Sequence, residues 1–161
     1  MTKEELRRHL DETRKQLLDA ISQLTEEQMC RRVEAGEWSV AEILAHLPNA
    51  ERWLRSQAEA VRQREGTSIR FLSEQERQES AGQAHRMVPP QIIHDLIGAR
   101  WQTTKLLDSL TAADLDKAGV HSQIGAMTVA AIIEAIGRHE EDHTRQILRL
   151  RQNMEASSVP G

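Results

Sequence analysis

The chain has 161 residues, which is enough for one domain with its own hydrophobic core. Charged residues make up 29% of it and hydrophobic residues 39%, and no apolar run approaches the roughly 18 residues that a membrane span requires. The formal net charge of -4 argues against a nucleic-acid-binding surface, which is usually strongly basic, so we expect neither a membrane nor a nucleic acid as a partner.

The N-terminal segment MTKEELRRHL has a helical pattern, and its composition also indicates the compartment in which the protein is found. It is charged, and it lacks the apolar stretch and small-residue cleavage site of a signal peptide. The single cysteine, Cys30, cannot form an internal disulfide, which is consistent with a reducing compartment. We therefore expect a cytoplasmic protein.

Apolar residues spaced three or four positions apart predict the first long helix, roughly over residues 3–24. A capping box at Thr25 and Gln28 then predicts a short turn of helix. The apolar stripe of the first helix is Leu6, Leu10, Thr13, Leu17, Ile21 and Leu24.

A further capping box, Ser39 with Glu42, opens the second long helix. Pro48 falls inside this helix and removes a backbone donor, so we expect a kink next to His46. The apolar stripe of this helix is Ile43, Leu47, Ala50, Leu54 and Val61.

Residues 63–88 are polar and predict a long crossover with one short helix, capped by Ser73 and Glu76. Pro89 and Pro90 open the third long helix, because proline is tolerated in a first turn. The buried side of that helix is predicted to carry Ile93, Ile97, Arg100, Thr104 and Leu107.

The third long helix is expected to end near Leu110, before a short turn capped by Thr111 and a loop with two glycines, Gly119 and Gly125. The fourth begins after Thr128. We predict no strand, although residues 69–72 give a weak apolar hint of one.

The fourth long helix has the most informative pattern, because His139 and His143 occupy core positions one turn apart on one face. Two buried structural histidines would each need partners for two ring nitrogens. A shared divalent metal ion would satisfy one nitrogen of each, and His46 is the natural third ligand. The remaining histidines are predicted to be surface residues: His9, His85, His94 and His121.

The string from His139 to His143 also matches H-E-x-x-H, a protease signature in which the glutamate is a general base. We consider this interpretation weak, because the short tail offers no good third ligand and no sheet edge is predicted for docking a peptide. Glu140 is rotated by roughly 100° from His139 on an α-helix, so we expect it to flank the site.

Two segments resemble the DinB/YfiT-like superfamily of proposed metalloenzymes. They are WSVAEILAHL over residues 38–47 and H-x-x-x-H-x-x-Q-I over residues 139–147. The resemblance implies an all-α, left-handed four-helix bundle with an unusual up-and-down topology over residues 1–155, followed by a flexible tail over residues 156–161. A departure from the family pattern is Pro48 with Asn49, where small or acidic residues are more frequent.

The resemblance also implies a ligand set, a metal and an assembly. His46, His139 and His143 would hold nickel or zinc, and the protein would be a homodimer. The spare apolar residue Ile133 on the fourth helix is the only support for a dimer that comes from the residues themselves.

Three neutral imidazoles would leave a divalent ion with its full charge and an open coordination position. The leading hypothesis from the resemblance is transfer of a low-molecular-weight thiol, such as bacillithiol or mycothiol, to an electrophilic small molecule. The alternatives are a metal-dependent hydrolase and a metal-binding bundle without catalysis. Arg100 could hold a carboxylate of the thiol or substrate, and Glu42 or Glu140 could orient a ligand histidine or move protons, although a structural role stays open for each.

Overall fold

The protein is described by a computed structural model over residues 1–158, with side chains to residue 156, and it is an all-α four-helix bundle with one small sheet. None of the helices in this described part is both long and apolar enough to cross a membrane. In chain order the elements are α1 (Lys3–Ile21), α2 (Glu26–Cys30), α3 (Val40–Gln63), β1 (Ser68–Ile69), α4 (Glu74–Gly82), a 3-10 turn (Gln83–Arg86), α5 (Pro89–Ser109), α6 (Ala112–Asp116), β2 (Ala118–His121), β3 (Gly125–Thr128) and α7 (Val129–Ser158).

The long helices α1, α3, α5 and α7 do not pack in chain order. Helix α7 packs against α1 and α3, and α5 packs against α3 and α1. The consecutive long helices α1 and α3 therefore lie at opposite corners of the bundle, whereas an ordinary up-down-up-down bundle places consecutive helices side by side.

Two apolar clusters fill the two ends of the bundle and define the helix directions. One cluster joins the N-terminal halves of α1 and α7 to the C-terminal halves of α3 and α5, and the other joins the opposite halves. Helices α1 and α7 are therefore parallel to each other and antiparallel to α3 and α5. Because α3 and α5 run in the same direction, the chain between them must return along the length of the bundle.

Capping boxes fix where the helices begin. In each one, a hydroxyl accepts from a backbone amide three residues later, and the side chain of that later residue accepts from the cap's own amide. The four boxes predicted from the sequence are present, with hydroxyls from Thr25, Ser39, Ser73 and Thr111. A further box, which was not predicted, opens α1 at Thr2.

The first long helix is shorter than predicted. It ends at Ile21 because the Ser22 hydroxyl donates to the Asp19 carbonyl at 2.9 Å and Thr25 already begins the next helix. Helix α3 runs unbroken through Pro48. The kink at that proline stays a prediction.

The buried face of α5 is shifted by about one residue from the face that the sequence predicted. Arg100 and Leu107 are buried as expected, but Ile97 is 54% exposed. Apolar residues occupy two adjoining faces of this helix, so periodicity alone could not separate them. The buried residues of this face are Ile92, Leu96, Ala99, Arg100, Thr103 and Leu107.

Ile133 is completely buried within the protomer, in the cluster at the N-terminal end of α7. The expectation that it is a spare apolar residue for a dimer contact was therefore wrong. The dimer itself stays a prediction.

The loop predicted around two glycines is instead a hairpin. Strands β2 and β3 pair antiparallel, and β1, which overlaps the weak apolar hint, pairs parallel to β2. Strands of two to four residues are too short for an alternating pattern to be recognised.

Helix α7 extends to Ser158. The predicted tail over residues 156–161 thus begins within this helix. Residues 159–161 lie outside the described residues.

Gly119 lies in β2 where the sheet approaches α3. A Cβ atom there would be 2.6 Å from the Val61 side chain and 2.8 Å from the backbone oxygen of Thr67. We expect Gly119→Ala to lower the free energy of unfolding by roughly 1–3 kcal/mol, because backbone and core must shift to admit the methyl group. Urea unfolding monitored by circular dichroism would measure the change.

Gly98→Ala is the matched control, because a Cβ atom at this position in α5 would have no other atom within 4 Å. It should raise stability by roughly 0.5–1 kcal/mol, as expected for alanine in place of glycine inside a helix. Destabilisation of equal size in both variants would contradict the packing argument.

Candidate metal centre

The three residues predicted as ligands meet near the middle of the bundle. His46 on α3 and His139 and His143 on α7 have ring nitrogens that all lie within 4.8 Å of one another. The Nε2 atom of His139 is 3.3 Å from Nε2 of His46 and 3.1 Å from Nε2 of His143. Two nitrogens that bind one tetrahedral ion at about 2.0–2.1 Å are about 3.3 Å apart. The three donors therefore fit a single divalent metal ion.

A hydrogen-bond chain fixes the tautomer of His46. Its Nδ1 atom is 2.7 Å from Oγ of Ser80, and the Ser80 hydroxyl donates its own hydrogen to the Arg77 carbonyl at 2.8 Å. The hydroxyl must therefore accept from Nδ1–H of His46. The Nε2 atom is left unprotonated and faces the other two histidines.

His143 is oriented in the same way by a residue one turn later. Its Nδ1 atom is 2.8 Å from Oε1 of Gln146, and this amide oxygen can only accept a hydrogen bond. The Nε2 atom of His143 therefore also carries a free lone pair. Such partners behind the ligands orient the rings and raise their basicity toward a metal.

Burial keeps the three imidazoles neutral. Desolvation is the main cause that lowers the pKa of His46 to about 4 and that of His139 to about 3, and it also lowers the pKa of His143. The positive charge of Arg77 makes a smaller contribution in the same direction for all three. Neutral imidazole is the form that binds metals, so the rings are ready to bind at neutral pH.

A cavity of about 240 Å³ opens beside the three histidines. His46 and His139 form part of its wall, so the centre has direct access to space for a small molecule. This access is typical of a catalytic metal site and not of a closed structural one. The other lining residues are Ala50, Trp53, Leu54, Phe71, Leu72, Arg77, Ala135, Arg138 and Asp142.

Trp38 packs on the histidines just before α3 begins. Its ring is stacked on His143 with centroids 6.3 Å apart, and its centroid is 5.1 Å from that of His46. The indole N–H donates to Oε1 of Gln78 at 2.9 Å. Gln78 and Ser80 both belong to α4, so the crossover helix contributes to the surroundings of the centre.

Sequence reasoning missed the roles of Trp38 and Ser80. Trp38 had a usable signal, since it opens the segment that resembles the family. Ser80 had none, because it is one polar residue among many in a polar crossover.

Glu42, predicted as a possible catalytic residue, is used to cap α3. Its carboxylate accepts from the Ser39 amide at 3.0 Å and from Nε and Nη2 of Arg32 at 2.9 and 2.8 Å. Burial alone would raise the pKa of Glu42, but these hydrogen bonds lower it to about 2. The partners of the ligand histidines are Ser80 and Gln146, so Glu42 does not orient them.

Glu140 is buried and turned away from the histidines. Its Oε1 atom accepts from Thr13 at 2.9 Å and from Nη2 of Arg100 at 3.2 Å, and its Oε2 atom accepts from Nε of Arg14 at 3.0 Å. Both oxygens are thus occupied on the side of α7 that faces α1. The structure does not support the general-base role that the H-E-x-x-H pattern suggested.

Arg100 belongs to the same network and does not line the cavity. It donates to both oxygens of Glu51, at 3.2 and 3.1 Å, and to the Leu10 carbonyl at 2.8 Å. Burial opposes its charge, but Glu51 and Glu140 outweigh that effect and raise the pKa of Arg100. Arg100 was predicted as a possible partner for a substrate carboxylate, but in the structure it binds the carboxylates of Glu51 and Glu140.

The other histidines lie outside the centre. His85 and His94 are exposed as predicted, and His9 is half-buried against the Glu134 carbonyl at 3.3 Å. The surface assignment of His121 was wrong, because it is buried and its Nδ1 atom accepts from two backbone amides of the hairpin turn.

Comparisons with known proteins agree on one family. The sequence model of the DinB superfamily matches residues 9–147. YuaE of Bacillus subtilis strain 168, which has no functional name, is 24% identical over 156 residues, covering 90% of this chain and 96% of that protein. A protein of Geobacillus kaustophilus strain HTA426 with a provisional name as a metal-dependent hydrolase is 27% identical over 140 residues, covering 84% of this chain and 76% of that protein.

Solved structures share the fold. YfiT from Bacillus subtilis, provisionally described as a metal-dependent hydrolase with an unusual four-helix bundle topology, matches with a TM-score of 0.79 and 20% identity, over 95% of this chain and 87% of that one. A mycothiol-dependent maleylpyruvate isomerase matches with a TM-score of 0.75 and 11% identity, over 91% of this chain and 61% of that one. At these identities the likeness shows the fold alone.

Ser80→Ala tests the orientation of His46. Losing the acceptor for Nδ1–H should weaken zinc binding roughly 10- to 100-fold, the usual effect of removing a group that supports a ligand histidine. Competition titration against a chromophoric chelator would measure the dissociation constant. Ser109→Ala removes an exposed hydroxyl on α5 that donates to the Leu106 carbonyl and accepts from Arg62 but contacts none of the three histidines, so it should leave the dissociation constant unchanged. Equal zinc affinities in the two variants would contradict the role assigned to Ser80.

Glu140→Gln tests whether this glutamate stabilises the fold. We expect it to lower the free energy of unfolding by roughly 3–5 kcal/mol, because two buried guanidiniums would then share one carboxylate. Zinc stoichiometry should not change. Glu141→Gln is the matched control, since its 3.7 Å pair with Arg145 is exposed and should contribute about 0–1 kcal/mol. Lost metal with unchanged stability would instead assign Glu140 to the centre.

Proposed function

The chain belongs to the DinB superfamily, and from this we propose that it is a metal-dependent enzyme whose three histidines hold one nickel or zinc ion. The observation that supports this most strongly is the convergence of three Nε2 atoms beside an open cavity. When bound, a divalent ion held by three neutral imidazoles keeps its full charge and an open coordination position, where a thiol loses its proton or water becomes a much stronger acid.

We further propose that the reaction is transfer of a low-molecular-weight thiol to an electrophilic small molecule. In support, the two buried carboxylates within four residues of a ligand histidine are already engaged: Glu42 by Arg32, and Glu140 by two arginines. Water activation commonly uses a free carboxylate as general base, as in the H-E-x-x-H proteases. A thiol that ionises on coordination does not need one.

The proposed reaction forms one bond and breaks one. The sulfur atom of a thiol such as bacillithiol or mycothiol bonds to an electrophilic carbon, and the thiol proton leaves to solvent. With an epoxide, the carbon–oxygen bond breaks and the resulting alkoxide takes a proton from solvent. With a haloarene, the carbon–halogen bond breaks and the halide ion leaves. The chain contributes the neutral donors, and the apolar walls beside them hold the acceptor away from bulk water. Trp38 shields the histidines on another side.

Hydrolysis at the same centre is the second candidate. It is supported by the provisional names of two similar proteins and by Asp142, a carboxylate that lines the cavity. Asp142 pairs with Arg145, however, so it would have to be released before it could accept a proton. A metal-binding bundle without catalysis is less well supported, because an open cavity beside the donors serves no structural purpose.

The proposal predicts metal and thiol dependence. Protein purified without chelators should contain near-stoichiometric nickel or zinc by elemental analysis, and it should catalyse addition of bacillithiol or mycothiol to epoxides or haloarenes faster than buffer alone. His139→Ala, which removes a ligand, should lose both the metal and the activity. His94→Ala, an exposed histidine on α5, is the matched control and should keep both.

Three other outcomes would decide against thiol transfer. Turnover of esters or amides without thiol would indicate the hydrolase. A stoichiometric metal with no turnover in either assay would leave a metal-binding bundle. Absence of metal with no uptake on titration would remove the case for metal-dependent catalysis altogether.

A further inference from the structure

Two arginines in the cavity have no role in the thiol transfer proposed above. Arg77 on α4 and Arg138 on α7 line the cavity together with His46 and His139. We propose that these two guanidinium groups bind a carboxylate of the acceptor substrate, so that the acceptor is a small organic anion with an apolar body. This inference rests on the proposed function of the same centre, because it concerns the molecule that reacts there.

Both arginines are free to turn toward a ligand. Arg77 pairs with Glu74 on its own helix, and Arg138 pairs with Glu134 one turn away at 3.7 Å. The two arginine side chains are 46% and 57% exposed, and exposed pairs of this kind contribute little to stability. Arg100, by contrast, is buried with two carboxylates and is not available to a ligand.

The charge balance of the cavity favours an anion. Asp142 is the one acidic residue among the described residues that line it, against two arginines. The two arginines come from different elements, so they present cations on separate walls. A guanidinium binds a carboxylate through two parallel hydrogen bonds, which gives the ligand a defined orientation as well as attraction. Two exposed cations with one acid beside them suit a singly charged group.

The rest of the wall is apolar and partly aromatic. The Trp53 indole N–H donates to the Arg70 carbonyl at 2.9 Å, and the Arg70 guanidinium lies 4.4 Å from the centre of the Trp53 ring. Phe71 packs against the buried His121 with ring centroids 4.7 Å apart. These contacts hold both rings in place, so the cavity favours a flat or apolar body next to the charged group.

The cavity also favours a small acceptor. Its volume is about 240 Å³, whereas pockets for drug-sized ligands are usually about 300–1,000 Å³. A single ring with one carboxylate fits this space.

Two haloarenes that differ in one ring substituent, a charged carboxylate or a neutral amide, provide the test. 4-Chloro-3-nitrobenzoate and 4-chloro-3-nitrobenzamide carry the same electrophilic carbon, and kcat/KM would be measured for both with the zinc-loaded protein and the thiol. We expect the benzoate to be preferred roughly 10- to 100-fold, the range for a hydrogen bond to a charged group. Arg77→Gln and Arg138→Gln should each reduce that preference at least several-fold.

Arg8→Gln is the matched control, because this arginine is exposed on α1 and does not line the cavity. It should leave the preference unchanged. Calorimetric titration of the metal-free protein with 4-chloro-3-nitrobenzoate gives a second readout that does not require turnover. The dissociation constant should rise in Arg77→Gln and Arg138→Gln but not in Arg8→Gln.

The outcomes separate this inference from the proposed function. Selective binding of the benzoate without turnover of either haloarene would support the anion site and count against thiol transfer. Turnover of both haloarenes at equal rates, or a preference that survives both arginine substitutions, would overturn the anion site and leave thiol transfer standing. Tighter binding of 4-chloro-3-nitrophenyl phosphate than of the benzoate would overturn the assignment of the ligand as a carboxylate.

Discussion

Four charged side chains, one from each long helix, meet inside the bundle, and the rest of the structure depends on their mutual neutralisation. Arg14 of α1, Glu51 of α3, Arg100 of α5 and Glu140 of α7 are joined by ion pairs with N–O distances of 3.0–3.6 Å. Buried charges are stable only when they are paired, so each helix must present its charged residue at one level. In each of these helices the charged residue lies between side chains of the two apolar clusters. The charged layer therefore fixes both the height and the rotation of each helix.

The rotation of α7 is what brings the three histidines together. Glu140 points toward α1 and the charged layer. Because of this orientation, the neighbouring His139 and His143 face α3, which carries His46. Within a single turn, α7 thus directs a carboxylate to one side of the helix and two imidazoles to another. The carboxylate is permanently engaged in holding the bundle together, and the imidazoles, neutral and with free lone pairs, are left for a ligand. The motif H-E-x-x-H is present in the sequence, but its glutamate and its histidines serve different parts of the molecule.

Much of the bundle and the donor set could be predicted because the signals were local. A hydroxyl followed three residues later by an acid or amide marked the helix starts, and two histidines on a core stripe indicated the centre. The failures concern information that lies outside a single element. The buried face of α5 depends on which neighbours it meets, the hairpin strands pair with each other and with distant β1, and the partner of His46 comes from a crossover 34 residues away. Arg14 and Glu51 lay close to the apolar stripes, yet only the assembled bundle shows that their charges cancel.

The return of the chain between α3 and α5 has a further consequence for how such proteins diversify. The donors come from the two helices that the charged layer holds in place, whereas Arg77, Phe71 and Leu72, which help to enclose the cavity, come from the connection that passes over them. Mutations at Phe71, Leu72 or Arg77 can reshape the entrance without touching the charged layer. Selection can therefore act on the entrance of the cavity and on the charged interior of the bundle at separate positions.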